Sequence, residues 1–112
     1  MKNKVILIAS DQFGKGEPEL GAAVLENFLV QLKQAEQKPV AIFCMNRGVY
    51  TLTDHSLSHL HLKELEEQGV PVFGCKTCVE HYGLVDELKA GKIAGLNHFM
   101  ELAGQHEVFT IS

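Results

Sequence analysis

Short apolar runs alternate along this chain with longer segments in which apolar residues recur every three or four positions. The apolar runs cover residues 5–9, 40–45 and 70–74. A continuous apolar run of this length is typical of a strand that is buried on both faces of a sheet. Strands that alternate with helices predict a parallel sheet with helices packed on both faces, which is an α/β fold.

The first helix is predicted to begin at Glu17-Pro18-Glu19, because proline and carboxylates are favoured in the first helical turn. Its apolar stripe consists of Leu20, Val24, Phe28 and Leu32, widened by Leu25 and Leu29. Further helices are predicted after a cap at Thr53 or Asp54 as far as Gly69, over residues 84–90, and over residues 96–102. Short strands are predicted over residues 92–95 and 108–111.

Length and composition narrow the class of protein. A chain of 112 residues fits one domain with its own core. The net charge of −4 argues against the basic surface that nucleic-acid binding requires. We find neither a signal peptide nor an apolar run near the ~20 residues that span a bilayer, so we expect a cytoplasmic protein. Its three cysteines, an odd number, should stay reduced there.

The segment Cys75-Lys76-Thr77-Cys78 carries the strongest chemical signal. It lies between the third predicted strand and a helix start, and both a helix N-terminus and a nearby cation lower thiol pKa values. Zinc usually needs four ligands, and only Cys44, within a strand, and His81 are available to complete a set, so we predict no metal. Reactive thiol chemistry, disulfide exchange and simple packing of a strand-to-helix corner remain as readings of the pair.

Polar residues follow the first three predicted strands, at residues 10–16, 46–48 and 75–78. Ligands of open α/β sheets gather beyond the carboxyl ends of the strands, so these clusters should share one edge if their strands are neighbours. Gly14-Lys15-Gly16 could bind an anion through its backbone or form a tight turn. His55 and His59 should share one face of a helix as surface residues.

Four segments resemble the DsrE-like proteins, in the same order and over nearly the whole chain. They are residues 10–21, Asn46-Arg47-Gly48-Val49, residues 62–70, and Cys75-Lys76-Thr77-Cys78 with Tyr82-Gly83-Leu84. The resemblance is closest to the DsrE-type domain of the YedF group, which is linked to sulfur and selenium metabolism. It implies a three-layer α/β/α domain with a five-stranded, mostly parallel sheet, often assembled as trimers or hexamers.

In relatives that relay sulfur, a cysteine after the third strand accepts sulfur as a persulfide. By its distance to Gly83, Cys75 matches that position, and Cys78 matches the additional cysteine of the YedF group. Arg47 departs from the family pattern, in which a glycine is expected.

The leading hypothesis is therefore a sulfur (or selenium) relay protein that exchanges sulfur with donor and acceptor proteins and needs no cofactor. Cys75 would carry the persulfide and Cys78 would resolve it. The candidate substrate-binding residues are Asp11, Asn46, Arg47, Lys76 and His81. The alternatives are a non-catalytic binding or assembly module and a dithiol redox switch through Cys75 and Cys78.

Overall fold

The computed structural model describes all 112 residues and folds them into one five-stranded sheet with helices on both faces. Every strand pair is parallel, in the order β4-β3-β2-β1-β5, so the predicted α/β fold is confirmed. The elements are β1 Lys4–Ile8, α1 Pro18–Gln34, β2 Ala41–Cys44, a 3₁₀ helix Asn46–Leu52, α2 Ser58–Glu67, β3 Val72–Cys75, α3 Lys76–His81, β4 Lys92–Ala94, α4 Leu96–Gln105 and β5 Glu107–Ile111.

The side chains of β2 show how the three layers are separated. Ile42 and Cys44 point into the main apolar core, which α1 and α2 cover. Phe43 points the other way and packs against Phe99 of α4, with 5.2 Å between ring centroids. Because successive side chains of a strand alternate between faces, α4 lies on the face of the sheet opposite α1 and α2.

The buried stripe of α1 differs from the predicted one. Leu25, Leu29 and Leu32 are buried, as expected, but Leu20 is 57% and Val24 41% exposed. The helix therefore rests on the sheet through a face centred on Leu25 and Leu29. Several stripes were possible, because apolar residues surround much of this helix, and contact with the sheet selected one of them.

The predicted helix over residues 84–90 is wrong. The helix after β3 is Lys76–His81, and the chain turns away from it at Gly83, which has a positive φ of 68°. Residues 84–90 form turns that are anchored by backbone N–H bonds from Lys89 and Ala90 to the carbonyl of Leu52. This segment has to return from the carboxyl edge of the sheet to the start of β4, and turns held against the core span that path.

The predicted start of the second helix is also wrong, because α2 begins at Ser58. The Thr53 hydroxyl instead accepts a hydrogen bond from the N–H of His55 at 3.2 Å and so stabilises a turn. His55 consequently lies outside α2 and does not share a helical face with His59. No helix is both long and apolar enough to cross a membrane.

Candidate active site

The carboxyl ends of β1, β2 and β3 lie side by side, because these strands are neighbours in the sheet. Their registers are level, with Ile8 beside Cys44 and Cys44 beside Gly74. The three polar clusters predicted from the sequence therefore share one edge. We call the residues Asp11, Asn46, Arg47, Cys75 and Cys78 the carboxyl rim.

The two cysteines of the rim differ in exposure. Cys75 ends β3 and is only 5% exposed, whereas Cys78 lies one turn later, in α3, and is partly exposed. The sulfur of Cys78 accepts a hydrogen bond from the backbone N–H of Asn46, with 3.1 Å between nitrogen and sulfur. Both thiols are free.

Burial raises the pKa of Cys78; the Asn46 N–H opposes this shift, and the neighbouring Cys75 sulfur adds to it. The raised pKa keeps Cys78 a protonated thiol near neutral pH. Cys75 lies three residues earlier, at the end of β3, and the two thiols belong to the same strand-to-helix corner.

The position of Asn46 depends on a tight contact between its own 3₁₀ helix and β1. Asn46 has a left-handed φ of 50°, which asparagine tolerates better than most residues. A Cβ at Gly48 would lie 2.0 Å from the carbonyl oxygen of Ile8, so only glycine allows this approach. The hydroxyl of Thr51 also donates to the carbonyl of Gly48 at 2.6 Å. These contacts orient the backbone N–H of Asn46 so that it donates a hydrogen bond to the sulfur of Cys78.

Arg47 provides the positive charge of the rim. One guanidinium N–H donates to Asp11 at 3.3 Å, and this hydrogen bond, followed by the charge of Asp11, raises the pKa of Arg47. The guanidinium lies 4.6 Å from the ring centroid of Tyr50 and 6.0 Å from that of Tyr82, within the range of cation–π attraction. Arg47 is nonetheless exposed, with its side chain 57% accessible.

Two other predicted site residues lie at the margin of the rim. Lys76 is exposed and makes no side-chain hydrogen bond or ion pair, although it follows Cys75 directly. His81 is exposed at the end of α3, and its ring packs edge-on against Tyr82 at 5.0 Å. Neither side chain makes a hydrogen bond to a cysteine. The structure therefore brings together Asp11, Asn46, Arg47 and the cysteine pair, but not Lys76 and His81.

The aromatic residues that pack around Arg47 were not predicted from the sequence. Tyr50 packs against Tyr82, with 4.9 Å between centroids, and against His55, with 5.4 Å. His55 in turn lies 3.5 Å from a carboxylate oxygen of Glu87. The only sequence signal was an aromatic residue two positions after Gly48, and that pattern is too common to indicate a site.

The other sequence motifs have simpler roles. Burial raises the pKa of Cys44 to about 12, despite an opposing hydrogen bond with Thr51, so this thiol is unreactive. The N–H groups of Phe13 and Gly14 bond to the carbonyls of Gly21 and Ser112, which favours the tight-turn reading of Gly14-Lys15-Gly16. No three or more His, Cys, Asp or Glu side chains are grouped so that they could hold a metal ion.

Solved structures share this fold at low sequence identity. A protein of unknown function from Methanobacterium thermoautotrophicum has a TM-score of 0.67 and 18% identity, over 98% of this chain and 99% of that one. The ychN protein from E. coli has a TM-score of 0.66 and 19% identity, over 99% and 100% of the two chains.

A conserved protein of unknown function from Bacteroides thetaiotaomicron has a TM-score of 0.65 and 14% identity, over 97% and 95% of the two chains. At these identities the likeness establishes the fold alone. No curated protein matches the chain significantly. Residues 4–111, however, match the DsrE/DsrF-like family in sequence, and this match spans every strand of the sheet. The chain therefore belongs to the DsrE/DsrF-like family.

Proposed function

We propose that this protein carries sulfur as a persulfide on Cys75 and passes it to an acceptor thiol. The observation that carries the proposal is the hydrogen bond from the Asn46 N–H to the Cys78 sulfur, which holds Cys78 at the carboxyl rim one helical turn after Cys75. Membership of a family associated with sulfur relay supports the same chemistry.

The proposed reaction has two exchange steps. The Cys75 thiolate attacks the outer sulfur of a donor persulfide, the donor S–S bond breaks, and the donor leaves as a thiolate that takes a proton from Cys78 or water. An acceptor thiolate then attacks the outer sulfur on Cys75, which releases the Cys75 thiolate. Neither step needs an external oxidant, because each forms one bond to the transferred sulfur and breaks one.

The remaining rim residues have proposed roles that follow from their charges. Arg47 is a fixed cation that can stabilise the anionic outer sulfur of a persulfide, and Asp11 orients Arg47 through their ion pair. The Asn46 N–H holds Cys78 in place. Lys76 and His81 lie at the margin and would contact the donor or acceptor as it approaches.

The narrower assignment to the YedF type is also a proposal, and the presence of Cys78 three residues after Cys75 supports it. Selenium is an alternative cargo for the same thiols. The two are separated by loading the protein in parallel with sulfane sulfur or with selenite and an excess of a reducing thiol, which supplies the electrons that selenite requires, and by measuring the mass of the adduct that is formed.

Self-association is proposed for the face of the sheet that carries α4. None of the ten residues of α4 is buried, although Leu96 and Met100 are apolar and 52% and 67% exposed. Val108 of β5 points to this face, as its register partner Val5 does, and is exposed as well. We propose that copies of the chain cover this face in a homo-oligomer, alongside contacts with sulfur donor and acceptor proteins. A light-scattering mass equal to one chain would contradict it.

The proposed chemistry needs Cys75 and Cys78 as free thiols, and such thiols persist in a reducing compartment. This requirement supports a cytoplasmic location as part of the proposal.

The function is tested by mass spectrometry after incubation with polysulfide, thiosulfate or a persulfidated desulfurase. We expect a gain of one sulfur atom in the wild-type protein, its loss in Cys75→Ser, and its retention in the control variant Cys44→Ala. In Cys78→Ser the adduct should still form but persist for longer. Absence of an adduct with every donor would reject the function, and an adduct that survives in Cys75→Ser would reject Cys75 as the carrier.

The placement of Cys75 and Cys78 three residues apart at one strand-to-helix corner favours a dithiol redox switch as the second candidate function. In that case Cys75 and Cys78 would form a reversible disulfide under mild oxidation, with a loss of two hydrogen atoms and no gain of sulfur. Mass spectrometry under non-reducing conditions distinguishes the two functions in one experiment.

A further inference from the structure

A groove of about 330 Å³ opens at Asp11, between α1 and the turn that precedes α2. Its size is at the lower end of the range for small-molecule sites, roughly 300–1,000 Å³. Three of its lining residues have small side chains, which leave room for a ligand. Ala22 and Ala23 belong to α1, and Ser56 belongs to the turn. Nothing in the sequence predicted this groove.

The charges that line the groove favour a cationic group inside it. Asp11 and Glu26 both contribute carboxylates, and the only basic lining residue is His55. Glu26 has one weak partner, since a single carboxylate oxygen lies 3.5 Å from Nε2 of His61. An ammonium group in the groove would therefore be attracted by both carboxylates.

Arg47 lies at the edge of the groove, which we call its lip, and carries a positive charge. Arg47 donates to Asp11, and a guanidinium has five N–H donors, so most of them are free to bind an anion. The groove and its lip thus present two negative charges and one positive charge side by side. This arrangement complements a ligand that carries both an ammonium and a carboxylate.

The contacts of Arg47 and of its neighbour Asn46 run from the edge of the groove towards α3. Arg47 follows Asn46, whose N–H bonds to Cys78, and the guanidinium lies over Tyr82 in the turn that ends α3. Cys75 is only 5% exposed, so a sulfur that reaches it must stand on a narrow, flexible arm. A small thiol meets this requirement better than the folded surface of a protein does.

We propose that the groove binds the amino-acid head group of a low-molecular-weight thiol, cysteine or glutathione, whose sulfur exchanges with the rim cysteines. This inference rests on the proposed function and names its acceptor. The thiolate of the ligand attacks the outer sulfur of the Cys75 persulfide. The Cys75–S bond to that sulfur breaks, and the products are the ligand persulfide and the Cys75 thiolate.

The test compares the rates at which four thiols remove sulfur from the persulfidated protein. Cysteine and glutathione carry both charged groups, cysteamine lacks the carboxylate, and mercaptopropionate lacks the ammonium. After correction for the intrinsic reactivity of each thiol, we expect cysteine or glutathione to react about tenfold faster than the other two, as one charge-assisted hydrogen bond implies. The faster of the pair identifies the acceptor. Equal corrected rates for all four thiols would overturn the proposal.

Two variants with matched controls locate the effect in the groove. Ala23→Gln fills it with a neutral side chain, and Ala35→Gln makes the same substitution just after α1, outside the lining. Glu26→Gln removes a carboxylate from the lining, and Glu36→Gln removes an exposed one beyond the other end of α1, outside the lining. We expect about tenfold slower transfer to the preferred thiol in each groove variant and unchanged rates in each control. Equal rates in variant and control would contradict the groove.

A binding measurement separates this proposal from the function on which it rests. S-methylcysteine and S-methylglutathione cannot exchange sulfur, but they retain the head group. Their binding should shift the amide NMR signals of Ala22, Ala23 and Ser56, even if no persulfide ever forms. If a persulfide forms but neither compound shifts these signals, the function stands and the groove proposal fails, which would leave a protein partner as the acceptor.

Discussion

Cys44 and Cys78 both lie near the carboxyl edge of the sheet, Cys44 at the end of β2 and Cys78 in the helix that follows β3. They differ sharply in exposure to solvent. Cys44 is fully buried in the core beneath α1 and α2, and burial raises its pKa to about 12. Cys78 is partly exposed on the carboxyl rim and is bonded to the N–H of Asn46. The two thiols therefore differ in exposure and in hydrogen bonding, and we expect Cys78 to be alkylated faster than Cys44. Three predictions test this comparison.

The largest loss of stability is expected from Gly48→Ala. This substitution disrupts the close contact between the 3₁₀ helix and β1 that supports the carboxyl rim. A Cβ at this position would clash with the carbonyl oxygen of Ile8 at 2.0 Å, and relieving such a clash should cost about 3 kcal/mol of unfolding free energy. The same shift should move the Asn46 N–H away from Cys78 and change the rate of its alkylation, while Cys44 stays protected. Urea denaturation and iodoacetamide labelling measure the two effects.

Gly104→Ala is the matched control for that prediction, because a Cβ at Gly104 has no neighbour within 4 Å. Alanine should stabilise this helical position by about 0.5–1 kcal/mol. If both variants lose stability equally, the Gly48 contact does not support the rim.

The next effect is a pH dependence that comes from the buried cysteine. The folded-state pKa of Cys44, about 12, lies above the ordinary thiol value of about 8.5. As the pH rises above about 8.5, the unfolded chain releases the Cys44 proton and the folded chain keeps it, so stability falls. The loss should reach about 2 kcal/mol near pH 10.

Denaturation curves of the wild type and Cys44→Ala, measured at neutral and alkaline pH, isolate this contribution. The difference in stability between the two proteins should change by that amount over the alkaline range, since every other titrating group is common to both. An unchanged difference would show that Cys44 is less protected than its burial implies.

The smallest effect on stability, with a clear effect on activity, is expected from Arg47→Gln. Its ion pair with Asp11 is exposed, and surface pairs contribute at most about 1 kcal/mol. Sulfur transfer to an acceptor should fall about tenfold, as expected for the loss of one charge-assisted contact. Exposed Lys63→Gln on α2 is the control. Equal transfer rates in the two variants would remove Arg47 from the site.

The sequence predicted that the polar clusters after β1, β2 and β3 share one edge of the sheet. It did not predict the contacts that hold the residues of the carboxyl rim in place. Residues at strand ends could be assigned to one edge because parallel strands place their carboxyl ends together. Tyr50, Glu26 and the groove could not be predicted, since they depend on contacts between segments far apart in the chain. The failed helix over residues 84–90 has a similar cause, because its turns are held by hydrogen bonds to Leu52.

The sequence by itself determined the α/β class, the family resemblance and the position of the cysteine pair after the third strand. These features follow from local apolar patterns and from motifs that lie within short segments. Only the tertiary structure decided which face of α1 is buried, which thiol receives the Asn46 N–H, and where Arg47 lies. Those outcomes arise from packing and hydrogen bonds between distant segments, whose geometry is defined only once the sheet has brought them together.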